Sequence, residues 1–303
     1  MPRIRGWATI LSARRKRILW LHSLSSIHVG AGDAVGVIDL PITREKVTNW
    51  PYLPGSAVKG VFRDACSDSA SAALVKEAFG PDTKSGDDTL DGAGQLWFAD
   101  ARILCFPVRS LTGTFAWVTC PLALMRHSRD LGAAGLAPLT HSVGTAIDTE
   151  ILVTADSIIK ENNHVFLEDL DLQVNPGNPV DALAATLAAA LLDTSWASEF
   201  TKRFAIVSDD VFTFLVETCT EVAAHIRISN ERKTVEKGAL WYEESVPAET
   251  IFTMPLVASP RKNGPDASGL FSIVAGALKK PIQIGGKASV GRGLISAKLT
   301  SKE

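Results

Sequence analysis

No apolar run in this 303-residue chain approaches the ~18–20 positions that a bilayer-spanning helix requires. The longest clean stretch, residues 269–278, is too short. A basic start (Arg3, Arg5, Arg14, Arg15, Lys16, Arg17) leads into Ile18-Leu19-Trp20-Leu21, the outline of a secretory leader, but the apolar part stops at His22 and no cleavage site follows. A cytoplasmic protein with no membrane partner is expected. Cysteine is scarce: Cys66, Cys105, Cys120 and Cys219 are the four, and no two have C-x-x-C spacing. That argues against a thiolate metal site and for reduced, buried thiols acting as small hydrophobes. Asn-x-Ser/Thr acceptors are absent, as in an intracellular protein. No short-period repeat is visible. With 46% hydrophobic and 21% charged residues, the chain is neither disordered nor of low complexity.

The net charge is only −2, which read globally argues against nucleic acid. Its distribution argues the other way. Residues 1–63 hold 10 Lys and Arg against 3 Asp and Glu, a net +7. Residues 223–303 hold 12 against 7, a net +5, while residues 64–222 hold 9 against 23, a net −14. If the two basic ends meet in space they form a face able to track a phosphate backbone.

Along the chain, residues 1–16 resemble a mobile basic arm, and Arg17–Ile27 has the β-formers of a strand. Pro54-Gly55-Ser56 marks a helix start with Ser56 as cap, followed by helical spacing of Val58, Val61, Phe62 and Ala65. Residues 80–94 suggest a long exposed loop. Leu96–Val108 and Thr114–Pro121 are expected strands, and Ala182–Leu192 a helix. Glu221–Val246 suggests a long hairpin with a charged tip at 230–237. Leu270–Leu278 is an expected helix, and Ile282–Gly286 and Gly291–Leu299 are expected strands joined by a glycine-rich turn. Strands interleaved with helices, without a regular βαβ period, favour an α+β fold.

The stretch Gly285-Gly286-Lys287-Ala288-Ser289-Val290-Gly291-Arg292-Gly293 has glycines that allow close backbone approach to a phosphate and two cations to neutralise it. It is not a Walker loop: Ala288 follows Gly286-Lys287, and Pro281 stands where the first glycine belongs. A plain glycine turn explains it equally well. Gly30-Ala31-Gly32 is no dinucleotide fingerprint, because Gly36 comes one residue too late. Asp39 is a lone acid inside Val35-Gly36-Val37-Ile38-Asp39-Leu40-Pro41-Ile42; buried, it needs a partner or a metal, and exposed, it can cap a turn.

Two segments carry a resemblance: Gly36-Val37-Ile38-Asp39-Leu40-Pro41-Ile42-Thr43-Arg44-Glu45-Lys46, and Tyr52-Leu53-Pro54-Gly55-Ser56-Ala57-Val58-Lys59-Gly60-Val61-Phe62-Arg63-Asp64. Together they resemble the N-terminal signature of RAMP proteins, and more narrowly the backbone subunit of the type III-B CRISPR effector. Leu96–Arg102, Phe106–Pro121, Leu240–Glu244 and the 284–293 glycine loop fit the same subunit. The resemblance spans about residues 18–300 and leaves the arm 1–16 outside it.

The resemblance implies an RRM-like (ferredoxin-like) α+β palm spanning 17–303 as a single domain, with inserted finger regions (the acidic part, about 64–222) and a protruding thumb hairpin at about 221–250. It implies copies stacked in a helical filament on guide crRNA with other subunits, and cutting of target RNA at regular intervals with Mg²⁺ or a similar divalent cation. Asp39 matches the family's key aspartate, a metal ligand or a group positioning the attacking 2′-OH. His28 matches a histidine assisting proton transfer, and Tyr242, Glu243 and Glu244 match further active-site contributors. The hairpin is expected to carry these last three to the Asp39 of another copy. Lys59 and Arg63, four apart on one helix face, with Ser56, Arg44, Lys46, Gly285, Gly286, Lys287 and Arg292, are the expected RNA contacts. Two alternatives stand beside this: a non-catalytic scaffold of the same fold, and a single-copy guide-processing RAMP endoribonuclease.

Overall fold

The computed structural model describes residues 15–32, 37–81, 93–139, 147–176, 180–191, 194–229, 233, 235–261 and 264–300, with backbone alone at 194–195 and 235–238. Its strands in chain order are β1 (Arg15–Ser23), β2 (Tyr52–Leu53), β3 (Leu96–Phe98), β4 (Ala101–Arg109), β5 (Phe115–Thr119), β6 (Glu150–Val153), β7 (His164–Leu167), β8 (Leu170–Val174), β9 (Phe204–Ile206), β10 (Glu221–Ile228), β11 (Val235–Ser245), β12 (Ile251–Ala258), β13 (Ile282–Gln283) and β14 (Leu294–Leu299). The helices are α1 (Gly55–Ser67), α2 (Ala72–Phe79), α3 (Pro121–Ala133), α4 (Asp181–Leu191), α5 (Thr194–Arg203), α6 (Asp209–Thr218) and α7 (Ala267–Ala277). Among the described residues no helix is long and apolar enough to cross a membrane.

One large mixed sheet runs in the order β13-β14-β1-β12-β4-β5-β9-β6-β8-β7, with β2 on β4 and β3 on β12. Its first part is antiparallel: β1 pairs with β12 through Leu19↔Met254 and with β14 through Leu21↔Ala297. Beyond β5 the sheet becomes mixed, since β9 lies parallel to β5 and antiparallel to β6. β10 and β11 form a separate antiparallel ribbon.

β1 explains the sheet's centre. Its residues Ile18-Leu19-Trp20-Leu21 are apolar without alternation because both faces are covered. Leu19 and Leu21 join a core containing Val58, Phe62 and Cys66 of α1 and Leu270 and Val274 of α7. Ile18 and Trp20 join the opposite core with Leu124 of α3, Leu187 of α4 and Phe200 of α5. Cys66, Cys105 and Cys120 are buried as free thiols, as expected, and Cys219 is half-buried. Burial pushes the Cys66 thiol up to about 11.

Several expectations need correction. Arg15 and Lys16 are not arm but strand, opposite Ala258 and Val257; residues 1–14 lie outside the described residues. The expected strand 96–108 breaks at Ala99-Asp100, where Gly55 packs so closely that a Cβ there would lie 2.4 Å from the Phe98 carbonyl oxygen and 2.6 Å from that of Ala99. Ser56 does not cap α1. Pro54 holds the cap position without a side-chain bond, and Asp100 Oδ1 accepts from Gly55 N at 2.8 Å in its place. The expected strand 282–286 shortens to two residues because Gly285 turns at φ +84°. The expected loop tips at 82–92, 230–232 and 234 lie outside the described residues.

Candidate functional site

The foot of the β10–β11 ribbon gathers most of the candidate residues. The Asp39 loop is laced onto β11: Leu40 N donates to Tyr242 O at 3.0 Å, and Glu244 N donates to Leu40 O at 3.0 Å. Asp39 itself is exposed, and its Oδ2 accepts from Tyr242 N at 2.8 Å. This answers why a lone acid interrupts an apolar run: it fastens the loop to the strand while its charge stays in water. Asp39 and Tyr242 therefore meet within one chain, where the expectation was a meeting with the Asp39 of another copy.

His28 is buried at 8% exposure, and its Nδ1 lies 2.7 Å from the Glu244 carbonyl oxygen. A carbonyl only accepts, so Nδ1 carries a hydrogen, and the tautomer with one ring hydrogen has its lone pair on Nε2. Nε2 faces Gly30, where an added Cβ would stand 3.0 Å away. The His28 backbone oxygen in turn accepts from Gly286 N at 2.9 Å, tying the glycine loop to the histidine. Gly285 is required there, since a Cβ would come within 2.4 Å of that oxygen at a positive φ.

Glu243 and Glu244, adjacent on a strand, point to opposite sides of the ribbon. Glu244 is a saturated anchor, accepting from Arg44 Nη2, from Ile42 N at 3.1 Å and from Thr220 Oγ1 at 2.8 Å. Arg44 is spent on the same knot, with Nη1 donating to Asn49 O at 2.9 Å. Glu243, 1% exposed, faces two cations, Lys287 Nζ at 3.0 Å and Arg292 Nε at 3.8 Å, with the His225 ring beside them, Nε2 at 3.9 Å. None of these contacts has hydrogen-bond geometry, and both Glu243 oxygens and His225 Nε2 are buried without a directed bond among the described residues. The charge contact is the physically meaningful one, since Coulomb attraction needs no alignment.

Ser56, Lys59 and Arg63 stand apart on α1. Arg63 Nη1 donates to Pro81 O at 3.1 Å. Lys59 and Arg63 lie four apart within α1, and burial, and secondly the neighbouring Arg63, lower the Lys59 ammonium from its usual range. Lys46 is exposed in the turn after Arg44. Sequence reasoning missed His225 and gave Trp241 no role beyond its place in the Leu240–Glu244 segment; their rings stack at 5.5 Å across the ribbon. The period-2 pattern of Leu240–Glu243 was the available signal, since it sets Trp241 beside Glu243. The opposite ribbon face is apolar and open, with Val222, Ile226, Leu240 and Tyr242 39–54% exposed.

No group of three or more His, Cys, Asp or Glu among the described residues could hold a metal ion. Asp39 supplies one oxygen donor group. That fits a hard cation such as Mg²⁺ that keeps waters and takes its other ligands from substrate phosphates, and it does not fit a protein-built cage.

The model of the RAMP superfamily matches residues 20–296. A curated relative, the CRISPR system Cmr endoribonuclease Cmr4 of Pyrococcus furiosus, is 36% identical over 290 residues, covering 94% of this chain and 95% of the relative. The CRISPR system CMR subunit Cmr4 of Saccharolobus solfataricus is 22% identical, over 91% of this chain and 94% of the relative. Among solved structures, oligomeric Cmr4 from Pyrococcus furiosus superposes with a TM-score of 0.76 at 27% identity, covering 95% of this chain and 99% of that one.

Proposed function

This chain belongs to the RAMP superfamily, and we infer from that membership and from the site's geometry that it is the guide-RNA-binding backbone subunit of a type III-B CRISPR effector complex and cuts the target RNA. The observation that carries the reading is the convergence of His28, Asp39 and the Lys287–Arg292 loop on one short stretch of β11. The name of the 36%-identical relative, an endoribonuclease, supports the cutting, and the oligomeric form of a solved relative supports stacking of copies. The order β14-β1-β12-β4, with α1 between β1 and β4 in sequence and α7 between β12 and β14, supports reading this part of the sheet as an RRM-like palm. The β10–β11 ribbon, whose apolar face has no cover among the described residues, is suited to act as the thumb over the guide–target duplex.

In this reading His28 takes a proton: its Nε2 lone pair is held ready because Nδ1–H is fixed on the Glu244 carbonyl. Asp39 orients the attacking 2′-OH or holds a divalent cation. When bound, that cation would neutralise charge developing at the scissile phosphate. Glu244 and Arg44, tied to each other, position the Asp39 loop. Lys59, Arg63, Lys46 and Ser56 hold guide phosphates, with Lys287 and Arg292 beside the chemistry. The partners are guide crRNA, target RNA, further copies of the chain and other subunits of the complex. Incubation of the purified chain with a guide RNA, followed by sedimentation and electron microscopy, tests this. A helical filament is the expected outcome; a single copy on each guide would identify a guide-processing nuclease instead.

A further inference from the structure

We propose that the Glu243 carboxylate is a built-in stand-in for an RNA phosphate, occupying the cations of the glycine loop until RNA displaces it. The proposal rests on the RNA-binding reading above and adds a regulation to it.

The contrast between two neighbouring glutamates carries it. Glu244 makes three directed hydrogen bonds, the pattern of a structural anchor. Glu243 is equally buried and, among the described residues, has ion pairs and no directed hydrogen bond. Leaving a carboxylate out of water with no directed bond is costly, so Glu243 is retained there by charge alone. The groups that retain it are Lys287 and Arg292, with the His225 ring beside them.

Those cations are built to stay where they are. Lys287 sits at φ +67°, followed by the 3₁₀ turn Ala288–Val290 and by Gly291 and Gly293, both at positive φ. Gly293 admits no side chain, since a Cβ would fall 2.0 Å from the Ile284 carbonyl oxygen. The Arg292 guanidinium is also held from behind, with Nη1 donating to Ser26 Oγ at 2.7 Å and lying 3.3 Å from Glu221 Oε2. Lys287 remains 38% exposed at its side chain, so an incoming anion can reach it. An RNA phosphodiester carries the same single charge on two oxygens as a carboxylate, but it arrives from solvent and is free to align with Lys287 and Arg292 where Glu243, fixed on its strand, does not. In the free subunit, Glu243 cancels one of the loop's two positive charges and weakens capture of unrelated RNA.

The test is binding of a short oligouridylate to the purified chain across a salt series, for wild type, Glu243→Gln and the double variant Lys287→Ala/Arg292→Ala. Removing the carboxylate's charge should tighten binding about tenfold at low salt and steepen the salt slope by about 0.7, one more phosphate neutralised on a single strand. The Lys287/Arg292 variant should bind more weakly than wild type. Wild-type affinity and slope in a Glu243→Gln protein that melts normally would overturn the stand-in while leaving RNA binding intact. No binding by either protein would overturn both readings together. Should Glu243→Gln fail to fold, Glu243→Asp, which keeps the charge but draws it back from Lys287, should tighten binding in the same direction; wild-type binding by it is equally fatal.

Discussion

At the scale of single residues, polar groups inside the fold divide into those with partners and those without. Asp39 was legible in the sequence because an acid in an apolar run demands an explanation, and the Tyr242 N–H supplies it. Which of Glu243 and Glu244 faces the glycine-loop cations was not legible, because neighbours on a strand differ only by the face they take, and that is set by pairing with Leu40, some two hundred positions away in sequence. His127 is the extreme case. It is 2% exposed, neither ring nitrogen has a partner among the described residues, and it packs edge-on to Trp20 at 4.7 Å. Burial holds it down at about 4, against about 6.5 in an unfolded chain. The native state therefore binds fewer protons than the unfolded state between those values. Stability is full above pH ~6.5 and falls as pH drops toward ~4, by up to about 3 kcal/mol from this group. His127→Leu should flatten that loss, seen as melting temperatures that change less between neutral pH and pH ~4.5. Identical pH profiles for the two proteins would refute the assignment.

At the scale of elements, β1 and the hairpin could be read from local pattern, since an unbroken apolar run signals burial on both faces and a charged tip between β-formers signals a turn. The break between β3 and β4 and the loss of Ser56 as a cap could not. Both come from one distant contact, Gly55 pressed on the Phe98–Ala99 backbone, with Asp100 taking the capping role. α1 presents Lys59 and Arg63 together, and their mutual repulsion is part of why Lys59 is shifted downward. A phosphate between them would relieve it. Lys59→Ala with Arg63→Ala should weaken guide binding whatever the sequence and make the slope of log K against log salt shallower by roughly 1.4, at about 0.7 per single-strand contact. An unchanged slope in a salt titration would show that this face of α1 looks away from RNA.

At the scale of the whole molecule, the charge distribution was the clearest message in the sequence and the strand order the least accessible. β1 lies between β12 and β14, so the basic first and last parts of the chain do meet, while β5 to β9, from the acidic middle, extend the far side of the sheet. The pairings that bring this about join residues more than two hundred positions apart, as in Leu19↔Met254, and no local pattern specifies them. The same long-range closure sets the His28 and Asp39 loops and the glycine loop around β11. The central claim is that this junction cuts RNA through Asp39. Its most direct test is cleavage of a guide-matched target RNA by the assembled complex, with wild-type subunits and with Asp39→Ala subunits. Loss of cutting by about 10²-fold or more, with assembly and target binding retained, is the predicted result. Cutting at the wild-type rate by the Asp39→Ala complex would contradict the claim, and a complex that fails to assemble would make Asp39 a structural fastener instead.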